Sequence, residues 1–142
     1  MRSKPIIMEH FRTVHTSFVI NFKFTNNITI LTGCSGSGKT ASYAFIRESM
    51  ALNPNIVCLN YLDYQRDMKQ VFSQLKGKLI VIDNADILLD DEARKYISVD
   101  GNNQYLIMGR NPANLFATKE NLFELVSRTD GEITEFQIRP YL

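Results

Sequence analysis

Apolar and polar positions alternate along this chain with two different periods, and the change from one to the other marks out its elements. Phe18, Ile20, Phe22 and Phe24 alternate with Val19, Asn21 and Lys23, the period-two signature of a strand with one well-buried face. The turn formers Thr25-Asn26-Asn27 follow, and then the apolar run Ile28-Thr29-Ile30-Leu31, so 18–24 and 28–31 read as an N-terminal β-hairpin. A helical stretch from Thr40 to about Met50 stops at Asn53-Pro54. Ile56-Val57-Cys58-Leu59 is a short continuous apolar run, as expected of a parallel strand buried on both faces. Tyr64, Met68, Val71, Phe72 and Leu75 then fall on one helical stripe, with Asp63 placed to cap it and Gly77 to end it. That stripe is core packing and not a cofactor box.

Leu79-Ile80-Val81-Ile82 repeats the buried-strand pattern and terminates in Asp83. Asp90-Asp91-Glu92 opens a short helix to about Ile97, its acids suited to the positive end of the helix dipole. A strand is expected over 104–108, and a helix from about Thr118 through Leu122, Leu125 and Val126. Asp130-Gly131 turns the chain into a last alternating strand over 133–138. Neither a repeat nor a low-complexity tract nor a linker interrupts this series.

Composition narrows the reading further. At 142 residues the chain suits one domain, 1–142, with room for a real core but not for a second substrate domain. With 44% hydrophobic residues, 22% charged residues and a net charge of +1, it lacks the basic footprint of a nucleic-acid binder. No apolar run approaches the ~18 residues of a membrane span, and Met1-Arg2-Ser3-Lys4-Pro5 lacks the apolar core of a signal peptide, so a cytoplasmic location without a membrane partner is expected. Two cysteines, Cys34 and Cys58, make no disulfide framework, and His10 and His15 stand without metal-ligand company.

The chemistry concentrates in Gly33-Cys34-Ser35-Gly36-Ser37-Gly38-Lys39-Thr40, which spells G-x-x-x-x-G-K-T, the phosphate-binding P-loop. Glycines at 33, 36 and 38 let the backbone take positive φ angles and turn its N–H groups toward a β-phosphate. Lys39 supplies a point charge to the β- and γ-phosphates, and the Thr40 hydroxyl is placed to ligate Mg²⁺ where a helix begins. Residues 33–41, ending with Ala41, are the expected nucleotide-binding segment, and ATP with Mg²⁺ the expected ligands. Cys34 would lie near N–H groups able to stabilise a thiolate, although the plainer reading is a tolerated variable position. Asp83 looks like the acid of a Walker B motif: at the carboxyl end of a strand neighbouring the P-loop strand it would face the metal beside Thr40.

The order of these motifs resembles the additional-strand P-loop ATPases, the class that holds AAA+, RecA-like and ABC ATPases, over roughly residues 18 to 110. Ile80-Val81-Ile82-Asp83-Asn84-Ala85-Asp86 looks in particular like the Walker B region of AAA+ and STAND-type ATPases. The resemblance implies an α/β, three-layer P-loop NTPase fold, with a mostly parallel sheet and the N-terminal hairpin. It also places Arg110 or Asn111 where that class carries a residue sensing the γ-phosphate. Two departures are plain. A glutamate usually follows the Walker B aspartate and orients the attacking water, whereas Asn84, an amide, cannot act as a base. Asp86 or Asp63 would have to polarise water instead, and both acids also suit caps or turns. The second departure is the short stretch after the sensor-like strand, where little room for a helical lid is expected and the lid's arginine has no candidate. An arginine finger from a neighbouring subunit would come from Arg94, Arg110 or Arg128, with nothing to choose among them.

The leading expectation is an ATP-binding protein, a minimal Mg²⁺-dependent ATPase or ATP-driven switch acting on a protein partner, with Lys39, Asp83, Asp86 and Arg110 as its catalytic set. The alternatives are a nucleotide-binding regulatory module with little hydrolysis, supported by Asn84, and a small-molecule or nucleoside kinase, disfavoured by the scarcity of arginines in 100–128. The guanine-reading signature Asn-Lys-x-Asp is absent.

Overall fold

Strands β1 (His10–His15) and β2 (Phe18–Lys23) form an antiparallel hairpin, with His10 opposite Lys23 and His15 opposite Phe18. Its two-residue link works because Thr16 takes a φ of 49°, the left-handed conformation that tight hairpin turns require. The computed structural model describes residues 4–32, 38–110 and 117–141. The remaining elements are β3 (Ile28–Thr32), α1 (Lys39–Glu48), β4 (Ile56–Leu59), α2 (Met68–Ser73), β5 (Leu79–Ile82), α3 (Ala85–Leu88), α4 (Asp91–Val99), β6 (Gln104–Met108), β7 (Leu122–Asp130) and β8 (Ile133–Pro140). Among the described residues, eight strands join one sheet in the order β1-β2-β8-β7-β3-β6-β5-β4.

The strands β3 to β6 carry side chains buried on both faces. Leu31, Val81, Leu106 and Met108 meet Tyr43 and Ile46 of α1 on one side. Their neighbours Ile30, Ile80, Ile82, Tyr105 and Ile107 meet Phe72 of α2 and Ala93 and Ile97 of α4 on the other. Alternation along each strand produces the two sets, which is why these runs read as continuously apolar. The other half of the sheet is different. Phe11, Ile20, Phe22, Phe123, Leu125 and Phe136 turn one face of β1, β2, β8 and β7 toward the α1 side of the core. Opposite register positions of β7 and β8 carry Glu124 with Arg139, Val126 with Gln137, and Arg128 with Glu135, a row of mostly polar pairs left open to solvent or only half-buried. One buried and one wet face is the usual state of antiparallel pairing.

The three-layer, mostly parallel P-loop fold expected from the sequence is therefore not the fold of this chain. The sheet is mixed, its eight strands curl into a half-barrel, and helices are few. The expected hairpin of 18–24 with 28–31 is also corrected: β2 pairs with β1 and β8, and β3 with β6 and β7. Asn26 and Asn27 are buried, and Asn27 accepts from the N–H of Ile6 at 3.1 Å while donating to the carbonyl of Asn103 at 2.9 Å. These bonds carry the chain away from β2 into the middle of the sheet.

Residues 122–126 are strand where a helix is expected. Phe123 and Leu125, two apart, go into the core, and the antiparallel partner β8 satisfies the backbone. The helix expected to start at Asp63 is displaced as well. Asn60 and Asp63 close a capping box on a short 3₁₀ turn, Tyr61–Asp63, and α2 begins later under the cap of Asp67, whose carboxylate accepts from the Gln70 N–H at 3.3 Å. The buried Gln104 side chain straps down the N-terminal segment, accepting from Ile7 and Met8 N–H groups at 3.0 and 2.9 Å and donating to the Met8 carbonyl at 3.0 Å. Among the described residues no helix is long and apolar enough to cross a membrane.

Candidate functional site

Strand β3 delivers the chain to residues 33–37, so the nucleotide-binding candidates Gly33, Cys34, Ser35, Gly36 and Ser37 lie outside the described residues, as does the sensor candidate Asn111. The description resumes at Gly38, the N-cap of α1, with φ 98° and ψ 4°. A β-carbon at this position would lie 2.7 Å from the Phe136 ring and 3.4 Å from Leu125, so side chains of the β7–β8 hairpin press on the last glycine of the motif. Gly38 also accepts from the Ser42 N–H at 2.8 Å, starting the helix ladder.

Lys39, Thr40 and Ala41 follow in the first turn of α1. Together with Gly38, Asp83, Asn84, Asp86, Ile87, Gly109 and Arg110 they line a cleft of about 620 Å³ at the carboxyl ends of β3, β5 and β6. Residues far apart in sequence, the motif lysine and threonine, the strand-end aspartate and the arginine after β6, thus face one volume. Strand β6 separates β3 from β5, so the Asp83 strand is not the direct neighbour of the P-loop strand that the sequence reading assumes. The Gly109 N–H bonds to the Leu31 carbonyl at 3.3 Å and holds the ends of β6 and β3 together.

Asp83 continues the β5 ladder, its N–H bonding to the Leu59 carbonyl at 2.9 Å, and its carboxylate accepts from the Asn84 N–H at 2.9 Å. Burial raises the pKa of this carboxyl above the ordinary range, against the opposing pull of the Asn84 N–H and the Lys39 charge. Both Lys39 and Asp83 are largely buried, at 9% and 8% exposure, so their attraction acts where water screens it poorly. Asn84 has φ 55° and ψ 40°, a left-handed geometry that asparagine tolerates better than glutamate does. Its side-chain oxygen accepts from the Tyr61 N–H at 3.3 Å, tying the turn after β4 to the turn after β5.

Asp86 lies in the first turn of α3, exposed, and accepts from the Arg110 N–H at 2.7 Å. This bond fixes the turn after β6 against α3. Asp63 stays out of the cleft lining: its two oxygens take the Asn60 N–H and the Arg66 guanidinium, each at 3.0 Å. Arg94 is engaged with Asp91 and the Leu89 carbonyl on α4, and Arg128 lies on β7 near its turn, so of the three arginine candidates the cleft includes only Arg110.

His15 sits between Glu48, at 3.0 Å from Nδ1, and Thr13, at 3.1 Å from Nε2, while His10 meets Asn21. The Cys58 thiol, in β4, is pushed by burial up to about 12, which leaves it inert at neutral pH. Among the described residues no three His, Cys, Asp or Glu side chains gather as a metal site. Sequence reasoning missed the special backbone of Asn84 and the contact of Phe136 on Gly38. The first was readable in principle, as an asparagine between a buried strand and a helix start; the second depends on a distant hairpin. Set against known protein families, curated proteins and solved structures, the chain matches none of them.

Proposed function

We propose that this chain binds a nucleoside triphosphate, ATP, with Mg²⁺ in the cleft at the carboxyl ends of β3, β5 and β6, and works as an ATP-driven switch or a minimal ATPase on a protein partner. One observation carries the reading: the lysine and threonine that complete G-x-x-x-x-G-K-T share a cleft with the buried aspartate at the end of β5. Lys39 would neutralise the outer phosphates, and the N–H groups opening α1 would meet phosphate oxygens. Thr40 and Asp83 would hold the Mg²⁺, which supplies charge neutralisation on the phosphates. The donor set fits such an ion: Mg²⁺ is commonly held by one or two protein oxygens with phosphates and waters filling the rest, so a three-ligand protein cluster is not required. A carboxylate whose own burial disfavours its charge, offset by Lys39, is a site that gains from a bound cation.

A specific observation also favours a second reading, a nucleotide-binding regulatory module with little hydrolysis. One oxygen of Asp86, the substitute for the missing glutamate, is engaged by the Arg110 backbone N–H, and Asn84 offers no base.

The test is phosphate release with Mg²⁺ and ATP beside an equilibrium titration of nucleotide binding. Lys39→Ala should weaken ATP binding by at least about tenfold, as expected for loss of one charge-assisted contact. Turnover in the parent chain that Lys39→Ala abolishes supports the ATPase; tight binding without turnover supports the regulatory module. Absence of binding in the parent chain overturns both.

A further inference from the structure

Adjoining the cleft, and sharing Thr40, Asp83 and Asn84 with it, is a second recess of about 590 Å³ between α1 and the turn that follows β4. Its size is that of a small-molecule site, roughly 300–1,000 Å³. Its walls are of three kinds. Tyr43 and Tyr61 give aromatic surface, the first nearly buried and the second half open to solvent. The Tyr43 hydroxyl, kept protonated by burial of its ring, makes no hydrogen bond among the described residues and lies at the wall of the recess, not among the buried unpartnered atoms. Arg47 brings a guanidinium that forms no ion pair among the described residues, whereas the neighbouring Glu48 is held by His15. At the other end stand the Asp83 carboxylate and Asn84.

A guanidinium with no ion pair among the described residues, an accessible tyrosine hydroxyl and two aromatic walls border one volume of small-molecule size. We propose that this recess is a binding site for a small organic anion with a flat apolar body, whose carboxylate or phosphate ester is taken by Arg47 and whose body rests on Tyr43 and Tyr61. The planar fork of Arg47 suits either oxyanion in two-point contact. Tyr43 donates to the ligand. The contacts that recognise the ligand come from Tyr43, Arg47 and Tyr61, none of which lines the nucleotide cleft, so the proposal does not depend on the nucleotide reading.

The experiment is a titration of the full, isotope-labelled chain with phenylacetate and, separately, with phenyl phosphate, followed by backbone amide NMR. Saturable shifts at Tyr43, Arg47 and Tyr61 in the millimolar range are expected for ligands of this size. Arg47→Gln should weaken binding by about tenfold and Arg47→Lys by less, since the charge remains while the fork is lost. Arg47 is exposed on α1, and the amide spectrum itself reports that the variants are folded. Binding of phenylacetate alone assigns the site to carboxylates and binding of phenyl phosphate alone to phosphate esters. Shifts confined to residues 39–41, an affinity indifferent to Arg47→Gln, or no saturation by about 10 mM of either probe overturns the proposal.

Discussion

At Gly38 two constraints coincide: a φ of 98°, which side chains rarely adopt, and a Phe136 ring where a β-carbon would go. Gly38→Ala meets both and should cost about 2 kcal/mol in urea unfolding, with a weaker ATP affinity because the start of α1 shifts. The glycine itself was legible from motif spacing, since three glycines in the P-loop register imply positive φ; its ring contact was not, because Phe136 lies almost a hundred residues away. Asp83 offers a titration. Its pKa is raised, so the folded chain holds this proton more tightly than the unfolded chain does. Stability from this group is therefore gained as pH falls through the raised folded pKa and lost as pH rises through it, in the window between that value and the ordinary carboxylate value of about 3.9. Lys39→Ala removes a charge that holds the pKa down, so without Mg²⁺ the carboxyl carbon of Asp83 should titrate at higher pH in that variant, as followed by ¹³C NMR. An unmoved titration would mean that Lys39 and Asp83 do not sense each other.

Among the elements, the short strands over 56–59, 79–82 and 104–108 were the most legible, because burial on both faces leaves an unbroken apolar run. Strand β7 was misread because Leu122, Leu125 and Val126 satisfy helical spacing while Phe123 and Leu125 satisfy strand spacing, and only pairing with β3 and β8 decides between them. The displaced start of α2 has a similar origin: Asp63 and Asp67 are both good caps, and each caps something. Asp67→Ala should cost about 1 kcal/mol and speed amide exchange at Gln70, whereas Asp63→Ala should speed exchange at Asn60 and leave α2 unaffected. Exchange measured residue by residue distinguishes them. A response of α2 to Asp63→Ala would restore the longer helix that the periodicity suggests.

At the scale of the whole molecule, the candidate site was more legible than the fold. Lys39 and Thr40 belong to one local motif, and Asp83 is marked by the strand it ends, so neither needed knowledge of the sheet. Strand order is another matter: β2 and β3 are neighbours in sequence, yet β8 and β7 lie between them, and the period-two signal that identifies a strand does not name its partner. That insertion also has a consequence for biosynthesis. Among the described residues, β8 is the last of eight strands to leave the ribosome, yet it is the strand that bridges the β1–β2 hairpin to the rest of the sheet. Until β8 is translated, the N-terminal hairpin can touch the α1 side of the core through Phe11, Ile20 and Phe22 but has no strand to pair with on its β2 edge. Assembly of the half-barrel then waits on the most sequence-distant pairing in the molecule, a late and slow closing step during which the exposed rims of β2 and β7 are open to capture by chaperones or by one another.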